Sequence, residues 1–278
     1  MLPMPQPHWQ AADFDAAIAL AGEAAVPTAF YDRFDSWDDP SRAWRGDPTF
    51  VHDLHRYAAA VTVVAGPQLP LAGGPRHPLA LPYPPMVARR ASPPAPAPAR
   101  FDVQFAGALL DPGWAAPPLD TRDRHHRGHL VAQLRAAVSP DRLAIRAGRY
   151  WMEDESAQQA LRARSLDEMD QSTIVFAPAG FGYLTIRHSD AWARGRVVLS
   201  EPVQQRVLVP EPERWEAGEV AVCYDPAADD LPQVVAEALG DPRRLASVAR
   251  AGWEYGRRWT DPRVQARMLA DALTQHHD

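Results

Sequence analysis

The segment from Ser172 to Pro202, STIVFAPAGFGYLTIRHSDAWARGRVVLSEP, limits the folds open to this chain more than any other. Ile174–Phe176 is a short apolar, β-branched run that predicts a strand, and Ala179-Gly180-Phe181-Gly182 breaks it. Ile186 to Arg194 predicts a helix that Gly195 ends, and Val197–Leu199 predicts a second buried strand. A helix between two buried strands calls for a parallel sheet with helices on both faces, an α/β fold. The strand–turn–helix also aims backbone N–H groups and the positive end of a helix at one point, where an anion can sit. Arg187, in the first turn, adds a forked donor suited to phosphate, and Asp190 follows one turn along the same face. A base for a phosphate and an acid for a sugar hydroxyl suit a nucleotide-sugar.

The rest of the chain repeats the alternation. Ala11 to Ala24 predicts a short helix, Thr28–Tyr31 a strand, Phe50 to Ala59 a helix and VTVVAG, ending at Gly66, a strand. Asp32, Phe34, Asp35, Trp37, Asp38 and Asp39 follow the first strand, where α/β sheets place ligands. They read either as an acceptor or metal site or as helix-capping aspartates with anchoring aromatics. Eleven of the 29 prolines then fall between Pro67 and Pro98. Such density excludes helix and central strand and predicts an extended linker or hinge, with an SH3-type ligand as the alternative.

Phe101–Ala106 restarts with a strand ending at Gly107, and Asp120-Thr121 caps a helix to about Val138 whose apolar stripe is Leu130, Val131, Leu134 and Val138. His125, His126 and His129 on it invite a metal reading. Arg122, Arg124 and Arg127 crowd them with positive charge, which favours a solvated basic face; in a third reading Arg122 or Arg127 reaches an anionic ligand. Further on, Leu143–Arg146, Val207–Val209 and Val220–Tyr224 predict strands, with Trp215 in a turn between the last two. Ala157–Met169 predicts a helix. Asp230, Asp241-Pro242 and Asp261-Pro262 each open one of the final three.

Composition narrows the function classes. The chain has 278 residues, 46% of them hydrophobic, enough for a sizeable core. There is no signal-peptide pattern and no apolar run long enough to span a membrane, which points to the bacterial cytoplasm. A net charge of −6 argues against general nucleic-acid binding. The single Cys223 excludes an internal disulfide and a cysteine zinc site, and reads as a buried core thiol. All basic residues are Arg, which together with the Ala and Pro content reflects a GC-rich genome rather than a function.

The pattern G-x-G-x4-R-H-x-[ED]-A-x-A-x-G-x-x-x-L from Gly180 to Leu199 resembles the donor-binding segment of two-Rossmann (GT-B) glycosyltransferases, most nearly the exostosin-like and CgeB-like "glycosyl transferases group 1" families. The resemblance covers roughly 101–273. It implies two Rossmann-like domains, the first truncated: 1–66 on the acceptor side, 67–99 as linker, 100–260 for the donor, and a helix in 261–278 that crosses back. It also implies Arg187 at the donor diphosphate and Asp190, where most relatives carry Glu, at the ribose. Gly107, Gly180, Phe181, Gly182, Tyr183 and His188 would line the donor site. Asp32 and Asp35 are the candidates for a general base. Arg187 and the positive end of its helix can stabilise the leaving charge without a metal, so transfer without metal or cofactor is expected, from a nucleotide-sugar to an acceptor the sequence does not name. The alternatives are a catalytically degenerate or partner-dependent relative that only binds nucleotide-sugar, and a plain α/β interaction domain.

Overall fold

The structure, a computed structural model, describes residues 77–93, 99–107, 121–147, 155–179 and 184–275, strands at 29–31 and 63–66, and helical positions 16, 19, 20 and 23. Asp32, Asp35, Gly180, Phe181, Gly182, Tyr183 and the helix expected at Phe50 to Ala59 lie outside the described residues.

Two parallel sheets form. The first has the order β1 (Ala29–Tyr31), β2 (Val63–Gly66), β3 (Pro78–Ala80). The second contains β4 (Phe101–Gly107), β5 (Leu143–Ala147), β6 (Ser172–Phe176), β7 (Val197–Ser200) and β8 (Val222–Cys223), in the order β5-β4-β6-β7-β8. Every pairing is parallel, for example Val103 with Leu143 and with Ile174, and Val175 with Val198. The helices are α1 (Thr121–Ala137), α2 (Glu155–Asp170), α3 (Ile186–Arg194), the short α4 (Pro212–Glu216), α5 (Leu231–Gly240), α6 (Pro242–Trp259) and α7 (Pro262–Gln275).

Strand alternation divides the core into two layers. Ile174 and Phe176 of β6, with Val197 and Leu199 of β7, face Leu130 and Leu134 of α1, Val138 just past its end, and Leu231 and Val235 of α5. Val175 and Val198, one residue out of phase, face Ala191 and Trp192 of α3, Trp215 of α4 and Tyr255 of α6. Trp192 is fully buried and donates to the Val220 carbonyl at 2.9 Å. Gly252 and Gly256, four residues apart on α6, make room for it: a β-carbon at either would lie 2.7 or 2.6 Å from Trp192 atoms.

Several expectations need correction. Trp215 is not in a turn but on α4, at 1% exposure, where its indole donates to the Tyr255 hydroxyl. Val207 and Val209 are buried but form no strand. The Asp230 side chain does not cap α5; its carboxylate accepts from the Asp225 N–H at 2.8 Å. Asp241 does cap α6, accepting from Arg244 N–H. Cys223 is half-buried, and burial pushes its thiol up to about 11.

The Pro-rich stretch contributes structure as well as length. Pro78, which has no N–H to donate, stands in the edge strand β3, the place in a sheet that tolerates it. Residues 81–90 then run as an extended strap over α3, α6 and α7. Gln265 donates to the Pro82 carbonyl at 2.5 Å, Arg194 to the Ala88 carbonyl, and Arg89 to Gly256 O and Thr260 Oγ1; the Arg90 N–H bonds Ala193 O at 3.0 Å. Leu269 of α7 packs with Ala29, Val63, Ala65 and Leu81, so the last helix closes the first sheet.

Candidate functional site

In order of appearance the second sheet reads 2-1-3-4-5. Its topological switch point lies between β4 and β6, and ligands of open α/β sheets bind at the carboxyl ends of the strands there. Three charged side chains from three elements meet at this edge.

Arg187, second residue of α3, donates from Nε to the Ala106 carbonyl at the end of β4, and its guanidinium lies over the Phe105 ring at 5.4 Å. Gly107 is the reason it fits. A β-carbon there would lie 2.8 Å from Arg187 Cζ. The resemblance implies Gly107 at the donor site; in the structure the glycine makes room for the arginine.

Arg127 of α1 is the residue that sequence reasoning placed wrongly in the main. It does not join a solvated face: it is 6% exposed, and its Nε donates to the Ala179 carbonyl at 2.7 Å, just past β6. Burial, then the neighbouring Arg187 charge, lowers it to about 9, with Glu201 opposing; it still carries its charge at neutral pH. A buried guanidinium held beside a second one is a costly arrangement that an anion would relieve. His129, by contrast, is solvated as expected and meets Asp229 at 3.0 Å. The side chains of Arg122, Arg124, His125 and His126 are not described.

Glu201, directly after β7, supplies the carboxylate. It is 7% exposed, and its Oε1 accepts from the Ala179 N–H and from the Tyr224 hydroxyl, both at 3.2 Å. Burial, then Glu201, raises the Tyr224 hydroxyl well above its ordinary value, so it stays a donor. Sequence reading assigned Glu201 no role.

His188 is fully buried. Its Nδ1 accepts from the Thr185 N–H at 3.1 Å, its Nε2 meets Ser200 Oγ at 2.9 Å, and Ser200 Oγ donates to Glu201 O at 2.8 Å. The Thr185 bond requires a lone pair on Nδ1 and so puts the ring proton on Nε2. Burial depresses the imidazole to about 3. Asp190, 9% exposed, turns to the strap, where Oδ1 accepts from the Met86 N–H at 2.7 Å. The structure thus gathers Gly107, Arg187, His188 and Asp190 of the expected residues around α3 and adds Arg127 and Glu201. Among the described residues no three His, Cys, Asp or Glu side chains are placed to hold a metal ion, and no helix is long and apolar enough to cross a membrane.

No protein-family model and no curated protein matches the chain. Its fold is shared with solved structures. Anabaena HepE, solved with UDP and glucose, superposes with a TM-score of 0.55 at 11% identity, over 95% of this chain and 76% of its own. An alpha-glucosyltransferase, solved with UDP and a 13-mer DNA containing a HMU base, gives 0.51 at 11% identity, over 98% and 78%. The GtfA/B complex gives 0.51 at 8%, over 95% and 55%. At these identities the likeness is one of fold: this chain has the α/β, parallel-sheet fold found in an established glucosyltransferase.

Proposed function

We propose that this chain is a glycosyltransferase that takes a sugar from a nucleotide-sugar whose diphosphate sits at the carboxyl ends of β4 and β6. The observation that carries the reading is the convergence of Arg127 and Arg187, two guanidiniums from different helices, on the switch point of the sheet. When the sugar–phosphate bond breaks, negative charge grows on the nucleoside diphosphate. Two fixed guanidiniums and the N-terminal end of α3 would stabilise that charge in a partly dry site, with no metal required. Asp190 would accept from a ribose hydroxyl, and Asp32 or Asp35 would serve as base toward the acceptor. The UDP in two structures of this fold makes uridine the first base to test. The narrower kinship with exostosin-like and CgeB-like enzymes belongs to the same proposal.

The test is a melting-shift screen of the purified chain against UDP, GDP, TDP, ADP and their sugars. At 100 times the dissociation constant a ligand adds about 2.7 kcal/mol. A shift with one nucleotide that disappears in Arg187→Ala supports the reading; no shift with any refutes it. Binding without transfer or hydrolysis would favour a degenerate relative, a reading the Asp190–Met86 bond supports, since it turns the expected ribose ligand toward the chain itself.

A further inference from the structure

The chain enters residues 180–183 at Ala179 and leaves them at Leu184. Both flanks are tied to two adjacent residues at the end of β7. On the entry side Glu201 accepts from the Ala179 N–H, while Arg127 takes the Ala179 carbonyl, so one peptide position is gripped from both sides by opposite charges. On the exit side Ser200 receives the Nε2–H of His188, whose Nδ1 holds the Thr185 N–H. The Ser200 hydroxyl in turn donates a hydrogen bond to the Glu201 carbonyl, which closes the chain of bonds within the protein. Tyr224, directly after β8, fixes the Glu201 carboxylate from behind. All four side chains in this network other than Arg127 — His188, Ser200, Glu201 and Tyr224 — are at most 7% exposed.

We propose that Ser200 and Glu201 are positioning residues for the anion site, and that Glu201 also sets its strength. This rests on the reading of Arg127 and Arg187 as the diphosphate site. Ser200 and Glu201 hold the two flanks of 180–183 at a fixed separation. The Glu201 carboxylate, whose charge acts on Arg127, offsets part of the attraction that the two arginines exert on a bound nucleoside diphosphate. A transferase needs that offset, because a stronger attraction in a partly dry site would retain the product.

Two variants separate the roles. Glu201→Gln keeps an oxygen for the Ala179 N–H and removes the charge. It should bind UDP about tenfold more tightly by calorimetry, with kcat lowered and the Ala179 amide exchanging as in the wild type. Glu201→Ala removes both, so the Ala179 amide should exchange at least about tenfold faster, and Ser200→Ala should do the same at Thr185. Unchanged exchange in both alanine variants, or equal UDP affinity for the wild-type and Glu201→Gln chains, overturns the proposal. A wild-type chain that binds no nucleoside diphosphate refutes the transferase reading instead; amide exchange, measured without ligand, still decides whether Ser200 and Glu201 hold the two flanks.

Discussion

Gly107 and Arg187 share one space: a β-carbon on the glycine would lie 2.8 Å from Cζ of the arginine. The nearest atoms in the way are the far end of a flexible side chain, and the buried Phe105 ring, with Cζ at 3.2 Å, would have to give by only a few tenths of an ångström. Gly107→Ala should therefore cost little stability, under about 1 kcal/mol, and should act by pushing the guanidinium off the Ala106 carbonyl. UDP affinity should fall about as far as in Arg187→Ala, and the double variant should bind no worse than either single one. Calorimetric titration of the three variants checks this; additive losses would show that Gly107 acts on the ligand by another route.

Gly252 and Gly256 invite the opposite outcome. In an exposed helix Gly→Ala gains about 1 kcal/mol. Here the added methyl meets the rigid, buried Trp192, which is packed between Trp215 at 5.5 Å and Tyr255 at 4.9 Å between ring centroids. Either substitution should destabilise by about 1–3 kcal/mol. Urea unfolding followed by Trp fluorescence measures it.

His188 gives the fold an acid limit. Its imidazole titrates near 3 in the folded chain and near an ordinary value of about 6.5 when unfolded. The unfolded state then binds the proton more readily, so the contribution is complete above pH ~6.5 and is lost as pH falls from there toward 3. Over that window it removes about 1 kcal/mol per pH unit. His188→Gln, which has no titrating ring, should show a shallower fall of melting temperature between about pH 6.5 and 4 than the wild type.

Asp190 pins the strap through Met86. Asp190→Asn keeps an oxygen to accept this bond, whereas Asp190→Ala does not. The Met86 amide should exchange several-fold faster in the alanine variant than in the asparagine one. Equal protection in both would show that Arg89, Arg90 and Arg194 hold the strap without it.

The run from β6 through α3 to β7 was legible because each of its signals is local: β-branched runs, a helix of the right length, and Gly195, which adopts a left-handed φ of 64° at the helix end. The placement of Arg187 and Asp190 on one helix was legible for the same reason. Arg127 was not. It sits among arginines and histidines in a helix whose polar residues look uniformly solvated, and its burial comes from the end of β6, far away in sequence. Glu201 was hidden likewise, since its partners Ala179 and Tyr224 follow other strands. Proline density concealed β3 by its usual meaning, although an edge strand satisfies the same constraint.

The central claim is that Arg127 and Arg187 together bind a nucleoside diphosphate. Titration of the full chain with UDP and the other nucleoside diphosphates, repeated on Arg127→Ala and Arg187→Ala, tests it most directly. The account expects one nucleotide to bind, and each variant to lose about tenfold or more in affinity while remaining folded. Wild-type affinity in both folded variants, or no binding by the parent chain, would contradict it.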